Sequence, residues 1–92
     1  MRITNKDLES LVKRINIITD SPLEPHTRVN GKYTANIGCY HLSYAYGGVS
    51  LQRMHNSSGG VESVIKSGHV SKRELYNLMH AFITGLENKN EV

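Results

Sequence analysis

The stretch from residue 36 to residue 49, NIGCYHLSYAYGGV, constrains the fold more than any other part of this chain. At a period of two residues, one face carries the large side chains Tyr40, Leu42, Tyr44 and Tyr46. The other face carries the smaller or polar side chains Cys39, His41, Ser43 and Ala45. Gly47 and Gly48 then offer two positions that accept positive φ, as a two-residue hairpin turn requires. The pattern predicts strands over residues 40–46 and 49–55 joined by this turn, with Tyr46 opposite Val49.

One more strand is expected before this hairpin, over residues 33–37, and one after it, over residues 61–65. Gly38 interrupts the alternation, which indicates a bend or a bulge. Asn30 and Gly31 form a turn signal that is compatible with a small hairpin. We favour an irregular connection there, because the run before the turn is short and polar.

A helix is predicted at each end of the chain, over residues 5–19 and 72–87. Thr4 with Asp7, and Ser71 with Glu74, have the spacing of a capping box at a helix start. Each helix carries apolar residues at helical spacing along one face, which is typical of a helix that packs on a core. The segment between residues 20 and 25 contains both prolines and ends the first helix.

These elements predict an α+β fold in the order α-β-β-β-α, a two-layer sandwich with both helices on one face of an antiparallel sheet. The Tyr/Leu face of the hairpin should lie under the helices, and the face with His41, Ser43, Ser50 and Met54 should be wet or covered by a partner. The side chains expected in the core are Leu8, Leu11, Ile15, Leu42, Leu51, Leu75, Leu78 and Phe82.

Composition bounds the class of protein. The 92 residues suit a single domain over residues 1–92, and no apolar run approaches the roughly 20 residues of a membrane span. The lone cysteine and the lack of an export signal favour the cytosol. The balance of 11 basic against 8 acidic residues is too mild for a dedicated duplex binder. A thin core makes a homodimer or a higher homo-oligomer a reasonable expectation.

Catalytic and metal chemistry find little support in the residues. Cys39 and His41 lie two residues apart on one strand face, which supplies half of a metal site or a thiol beside a base. The other ligands, and an acidic group to orient the histidine, are missing nearby in the sequence. We therefore expect no metal, no cofactor and no enzymatic activity.

Binding of an anion has better support. Ser71, Lys72 and Arg73 combine a helix start with two cations, which favours a phosphate-like group. Tyr40 or Tyr46 can stack on a base, with Arg53 near phosphate and with His41 and Asn56 orienting the ligand. The alternative interpretation is that the tyrosines are ordinary core residues whose hydroxyl groups reach the surface.

Two resemblances bear on function. The order of helix, antiparallel strands and helix, with Ser-Lys-Arg opening the last helix, is similar to the double-stranded RNA-binding domain, although the cation cluster is sparser here. The patterns N-I-G-x-Y-H-L-x-x-A-Y-G-G at residues 36–48 and S-G-H-x-x-K-R-E-L-Y at residues 67–76 resemble small proteins of tailed phages and prophages. That resemblance implies an accessory role by binding, for example to a nucleotide signal of host defence.

The sequence thus predicts a non-enzymatic, phage-type protein that binds a compact, anionic, nucleotide-like ligand and acts as an antagonist of host defence. One alternative is an interaction protein that inhibits a host protein through its polar sheet face. A second alternative is a module that binds double-stranded nucleic acid.

Overall fold

The computed structural model describes residues 2–65 and 68–89. Its elements, in chain order, are α1 (Asn5–Ile18), β1 (His26–Val29), β2 (Lys32–Ala35), β3 (Tyr40–Ala45), β4 (Gly48–Met54), β5 (Val61–Ser63) and α2 (Lys72–Lys89). The last three strands form one antiparallel sheet in the order β3-β4-β5, and β1 pairs with β2 in a separate hairpin. The α+β class is confirmed, with five strands where the sequence predicted three or four.

The first helix begins where its capping box predicts. Thr4 Oγ1 accepts a hydrogen bond from the Asp7 amide at 3.2 Å, and Asp7 Oδ2 accepts one from the Thr4 amide at 2.8 Å. These bonds hold the pKa of Asp7 below its ordinary value. Ile3 and Leu8, which flank the cap, are both buried in the core. The local sequence therefore fixes the start of α1 and attaches it to the core within one turn.

Both helices pack on the sheet face that carries Val49 and Leu51. The buried side chains that form this core are Ile3, Leu8, Leu11, Ile15, Val49, Leu51, Leu75, Met79 and Ile83. Leu42 and Phe82 pack against the core but are only partly buried. The shortest dimension of the molecule is 22 Å, which fits one layer of helices on one sheet.

Leu78 does not belong to this core, contrary to the sequence prediction. The buried stripe of α2 runs through Leu75, Met79 and Ile83 at intervals of four residues, and Leu78 is only partly buried beside it. The helix thus presents Met79, rather than Leu78, at the centre of its buried face. The spacing of apolar residues predicts which face of the helix is buried, but it does not decide whether Leu78 or Met79 lies at the centre of that face.

The predicted register of the central hairpin is wrong by two residues. Tyr44, not Tyr46, pairs with Val49, and Leu42 pairs with Leu51. The turn consists of Tyr46 and Gly47, whose φ angles are 55° and 73°, as a primed turn requires. Gly48 instead belongs to β4, where a Cβ atom would lie 2.9 Å from the carbonyl oxygen of Val70. Close approach of a neighbouring chain segment, rather than the turn, therefore requires this glycine.

The segment before the sheet also differs from the favoured interpretation. Asn30 and Gly31 close a regular hairpin between β1 and β2, with φ angles of 51° and 80°. Apart from Ala35, every side chain of these two strands is exposed. Arg28 lies over the ring of Tyr33 at 5.9 Å, so cross-strand contacts rather than a core stabilise this ribbon.

The polar face of the larger sheet is less open than expected. Ser50 is buried, and Met54 is buried in a second cluster with Ala35 and Cys39. Gly38, at φ 93°, donates to the Met54 carbonyl at 2.9 Å, while the Met54 amide donates to Cys39 at 2.9 Å. Gly38 and Cys39 thus both lie opposite Met54. This arrangement is a β-bulge, as the position of Gly38 indicated in the sequence.

Met79 and Leu78 provide a direct test of the orientation of α2. We expect Met79→Ala to lower the free energy of unfolding by about 2–5 kcal/mol, because it opens a cavity in the core. Leu78→Ala should lower it by less than about 1.5 kcal/mol, since Leu78 is only partly buried and lies beside the core. Urea denaturation of both variants measures the difference. Equal losses would show that α2 is oriented as the sequence pattern alone suggested.

Candidate functional site

Two surface grooves lie on either side of Tyr44. The first, which we call the hairpin-tip groove, has a volume of about 390 Å³ and is lined by Tyr44, Ala45, Gly47, Gly48, Val49, Val70 and Lys72. The second, the helix–strand groove, has a volume of about 610 Å³ and lies between α1, the segment from Leu23 to Pro25, and β3. Both volumes fall in the range of about 300–1,000 Å³ that is usual for ligand sites.

The hairpin-tip groove exists because Val70 pairs with the start of β4. The Val49 amide donates to the Val70 carbonyl at 2.8 Å, and the Val70 amide donates to the Val49 carbonyl at 3.0 Å. This bridge places the first turn of α2 beside the β3–β4 turn. A helix start and a hairpin turn, distant in sequence, therefore meet at one end of the sheet.

Lys72 gives this groove its charge. It is the first residue of α2, and of the residues that the structure describes it is the only charged one that lines the groove. Ser71 Oγ accepts a hydrogen bond from the Glu74 amide at 3.2 Å, as the sequence predicted for the helix start. Within the described residues Lys72 has no ion-pair partner. Its ammonium group is thus available to a ligand at the positive end of the helix dipole.

Aromatic rings border the same groove. Tyr44 lines it and is 51% exposed. Tyr46 occupies the adjacent turn, is 95% exposed and contacts the ring of His69 edge-on at a centroid distance of 5.5 Å. The sequence interpretation chose Tyr40 or Tyr46 for stacking rather than Tyr44. The shifted register accounts for this difference, because it places Tyr44 beside Val49 at the groove.

Arg73, the second predicted cation of the helix start, is exposed in the first turn of α2. It is not among the residues that line the groove.

Tyr40 and Arg53 lie at the other end of the hairpin. They pair across β3 and β4, with the Arg53 guanidinium over the Tyr40 ring at 5.7 Å. Arg53 also forms an ion pair with Glu62 at 3.3 Å. Six residues separate Tyr40 from Tyr46, which corresponds to about 20 Å of strand. One compact ligand therefore cannot contact Tyr46, Lys72 and this pair together.

Asn56 is engaged within its own loop. Its Oδ1 atom accepts hydrogen bonds from the Ser58 amide at 3.1 Å, the Ser58 hydroxyl at 2.9 Å and the Gly60 amide at 2.9 Å. A side chain whose oxygen already holds three donors organises the loop between β4 and β5. These bonds assign Asn56 a structural role.

His41 lies on the opposite face of the sheet from Tyr40 and Arg53. Burial lowers the pKa of His41, and His26 lowers it further, while a hydrogen bond with the Leu42 backbone acts in the opposite direction. Its Nε2 atom is buried and has no hydrogen-bond partner in the described part of the chain. This environment favours the neutral imidazole.

The Cys39 thiol is packed in the second cluster. Burial raises the pKa of Cys39, and the carboxylate of Glu24 raises it further, while a hydrogen bond with Asn16 opposes them. A thiol rather than a thiolate is therefore the neutral-pH form. Across residues 2–65 and 68–89, no three His, Cys, Asp or Glu side chains are grouped closely enough to hold a metal ion.

Asn16 is the residue that sequence reasoning missed. Its side chain is buried, its Nδ2 donates to the Tyr40 carbonyl at 3.1 Å, and its Oδ1 accepts from the Tyr40 amide at 2.8 Å. Asn16 thereby occupies the place of a neighbouring strand at the outer edge of β3. The available signal was an asparagine four residues after Val12, on the inward side of an otherwise apolar stripe.

Comparison of the chain with protein-family models, with curated proteins and with solved structures found no significant match. Among the described residues, neither helix combines the length and the apolar character that crossing a membrane requires.

His41 gives the protein a specific pH dependence. Because its pKa is lowered in the folded state, the unfolded chain binds a proton near pH 6.5 that the folded chain binds only at lower pH. The free energy of unfolding should therefore fall as the pH drops below about 6.5. When the pH is lowered from 7.5 to 5.5, the free energy of unfolding of the His41→Gln variant should fall less than that of the wild type. Midpoints of urea denaturation measure both changes. The same loss in both proteins would contradict this role.

Proposed function

We propose that this protein is a non-enzymatic binding protein whose hairpin-tip groove holds a compact, anionic, nucleotide-like ligand. The observation that carries the proposal is the meeting of Lys72, the start of α2 and the exposed ring of Tyr44 in one groove. A nucleotide presents a phosphate and a flat base, and this groove offers a cation and a ring within the same concave surface.

The charge of the groove supports an anionic ligand. Over residues 2–65 and 68–89, its lining contains Lys72 and no acidic side chain. The larger helix–strand groove contains Glu9 and Glu24 beside Lys13, so its charged lining is acidic on balance. A phosphate would therefore be attracted to the first groove and repelled from the second.

The aromatic rings support a ligand with a flat base. Tyr44 supplies a wall of the groove, and Tyr46 supplies a second exposed ring at its rim. Stacking on an aromatic ring contributes about 1–3 kcal/mol per base and tolerates different bases. Arg53, Tyr40, His41 and Asn56 fall outside this site, because they lie at the far end of the sheet, on its other face or in a different loop.

The two alternative functions have less support. A host protein that docks on the polar sheet face would meet Ser50 and Met54, which are already buried within the chain. Duplex nucleic acid requires many cations along a surface, whereas the described lining of the hairpin-tip groove contributes one.

The resemblance to small phage and prophage proteins gives the proposal its biological setting. In that setting the protein acts as an accessory factor in the host cytosol and sequesters a nucleotide signal of host defence. Sequestration requires binding without turnover, which a groove of this kind can provide without catalytic groups.

Variants at the groove test the proposal. The purified protein is incubated with host lysate, recovered and denatured, and the released small molecules are identified by mass spectrometry. Lys72→Ala should weaken binding of the released nucleotide by at least about tenfold, because a hydrogen bond to a charged group contributes about 1.5–3 kcal/mol. Isothermal titration calorimetry measures the change.

Lys6→Ala is the matched control, since Lys6 is an exposed lysine in the first turn of the other helix. It should bind like the wild type, and so should Arg53→Ala. Recovery without any nucleotide would contradict the class of ligand. A nucleotide that Lys72→Ala retains and Arg53→Ala loses would place the site at the far end of the sheet.

A further inference from the structure

β3 forms one edge of the three-stranded sheet, and part of that edge is unpaired. In an antiparallel ladder, the backbone groups of alternate residues point towards the neighbour and away from it. Tyr40 directs its N–H and C=O groups outward, as its bonds with Asn16 show. Leu42 and Tyr44 share this direction. Within the described part of the chain, no residue on the outer side of β3 pairs with their backbone groups.

The edge of β3 already binds one side-chain amide group of the protein itself, that of Asn16. The Asn16 side chain presents an N–H donor and a C=O acceptor to Tyr40, as the backbone of an added strand would. Asn16 marks one end of the open edge of β3, and the turn that begins at Tyr46 marks the other. The backbone of Leu42 also bonds the His41 ring. Leu42 and Tyr44 between them still present two N–H and two C=O groups, each carbonyl with room for a second donor, and these match a short extended segment of polypeptide.

The helix–strand groove supplies side-chain contacts for such a segment. Apolar surface comes from Val12, Leu23, Pro25 and Leu42. Glu9 and Glu24 outnumber Lys13 in this lining and add negative charge near opposite ends of the open edge. Burial raises the pKa of the Tyr44 phenol and Glu9 raises it further, while Glu24 adds to the effect of burial on the pKa of Cys39. An extended segment that carries lysine or arginine complements this groove.

We propose that the helix–strand groove is a docking site for an extended, basic segment of a partner protein, which adds as a strand to β3. This surface is distinct from the hairpin-tip groove in its charge and its backbone groups. Main-chain hydrogen bonds to Leu42 and Tyr44 supply register, and the two glutamates supply preference for a cationic side chain.

A second copy of this chain fits the edge less well. Symmetric antiparallel pairing about Ser43 would set Leu42 of one copy opposite Tyr44 of the other. The Glu9 end of one groove would then lie beside the Glu24 end of the other, which brings like charges together. A foreign segment with basic side chains avoids this repulsion.

A random octapeptide library displayed on phage tests the proposal with the full chain as bait. The selected peptides should carry lysine or arginine, and a synthetic copy should shift the backbone amide resonances of Leu42 and Tyr44. N-methylation of the peptide at alternate residues should weaken binding at least tenfold, because it removes the donors that an added strand needs.

A matched pair of variants isolates the backbone contribution. Tyr44→Val and Tyr44→Pro both remove the ring, but only Tyr44→Pro removes the outward N–H group, which does not belong to the ladder with β4. We expect Tyr44→Pro to bind the peptide at least tenfold more weakly than Tyr44→Val. Thermal melts of both variants verify that they fold. If Tyr44→Pro does not fold, the N-methylated peptides give the same test on the unchanged protein.

Three outcomes would overturn the proposal. The first is a selection that enriches no peptide, and the second is a peptide whose binding survives N-methylation and leaves the Leu42 and Tyr44 resonances unmoved. The third is a wild-type dimer in analytical ultracentrifugation that Tyr44→Pro dissociates and Tyr44→Val retains, which would assign the edge to a second copy.

Replacing Glu9 and Glu24 by Gln should separately weaken the binding of a lysine-containing peptide several-fold.

Discussion

The two hydrogen bonds between the Asn16 side chain and the Tyr40 backbone determine how the helical layer meets the edge of the sheet. The Asn16 side chain is buried, so its amide must find partners within the protein. Tyr40 supplies both a donor and an acceptor. An apolar side chain at position 16 would leave two backbone groups unpaired, at a cost of about 1–3 kcal/mol each. The bonds therefore fix α1 against one end of β3, and the edge beyond them stays open.

A second close contact shapes the opposite end of the hairpin. Gly48 allows the Val70 carbonyl to approach the backbone of β4, and the pairing of Val49 with Val70 places Lys72 beside the turn. Tyr44 stands between the two ends and lines both grooves. The charges therefore differ on the two sides of Tyr44, with Lys72 on one side and two carboxylates beside Lys13 on the other. We infer two different ligand classes from this separation.

Local sequence patterns predicted the parts of the fold that local chemistry decides. The Thr4–Asp7 capping box, the Ser71 cap, the bulge at Gly38 and the apolar faces of both helices were all legible without a structure. The hairpin register was not, because two adjacent glycines offered two turns. Contact with Val70, more than twenty residues away, decides between them. The β1–β2 hairpin was underestimated for the opposite reason, since it depends on its turn and cross-strand contacts rather than on burial.

The candidate site shows the same division. Lys72 at the helix start was predicted from its position alone, and the structure places it in a groove. Asn56 and Arg53 looked equally suitable in the sequence, yet one is engaged by Ser58 and Gly60 and the other by Glu62. Residue type identifies what a side chain can bind. Tertiary partners decide whether it remains available, and those partners are distant or unpatterned in the sequence.

Amide hydrogen exchange along β3 tests the central claim most directly, because it reports which backbone groups of the edge are paired. In the unliganded protein, the Tyr40 amide should be protected by Asn16, and the His41 and Ser43 amides should be protected by β4. The Leu42 and Tyr44 amides should exchange much faster, and Asn16→Ala should add Tyr40 to the fast group. Two results would contradict the account. One is that the Leu42 and Tyr44 amides exchange as slowly as the Ser43 amide, and the other is that Asn16→Ala leaves the exchange rate of the Tyr40 amide unchanged.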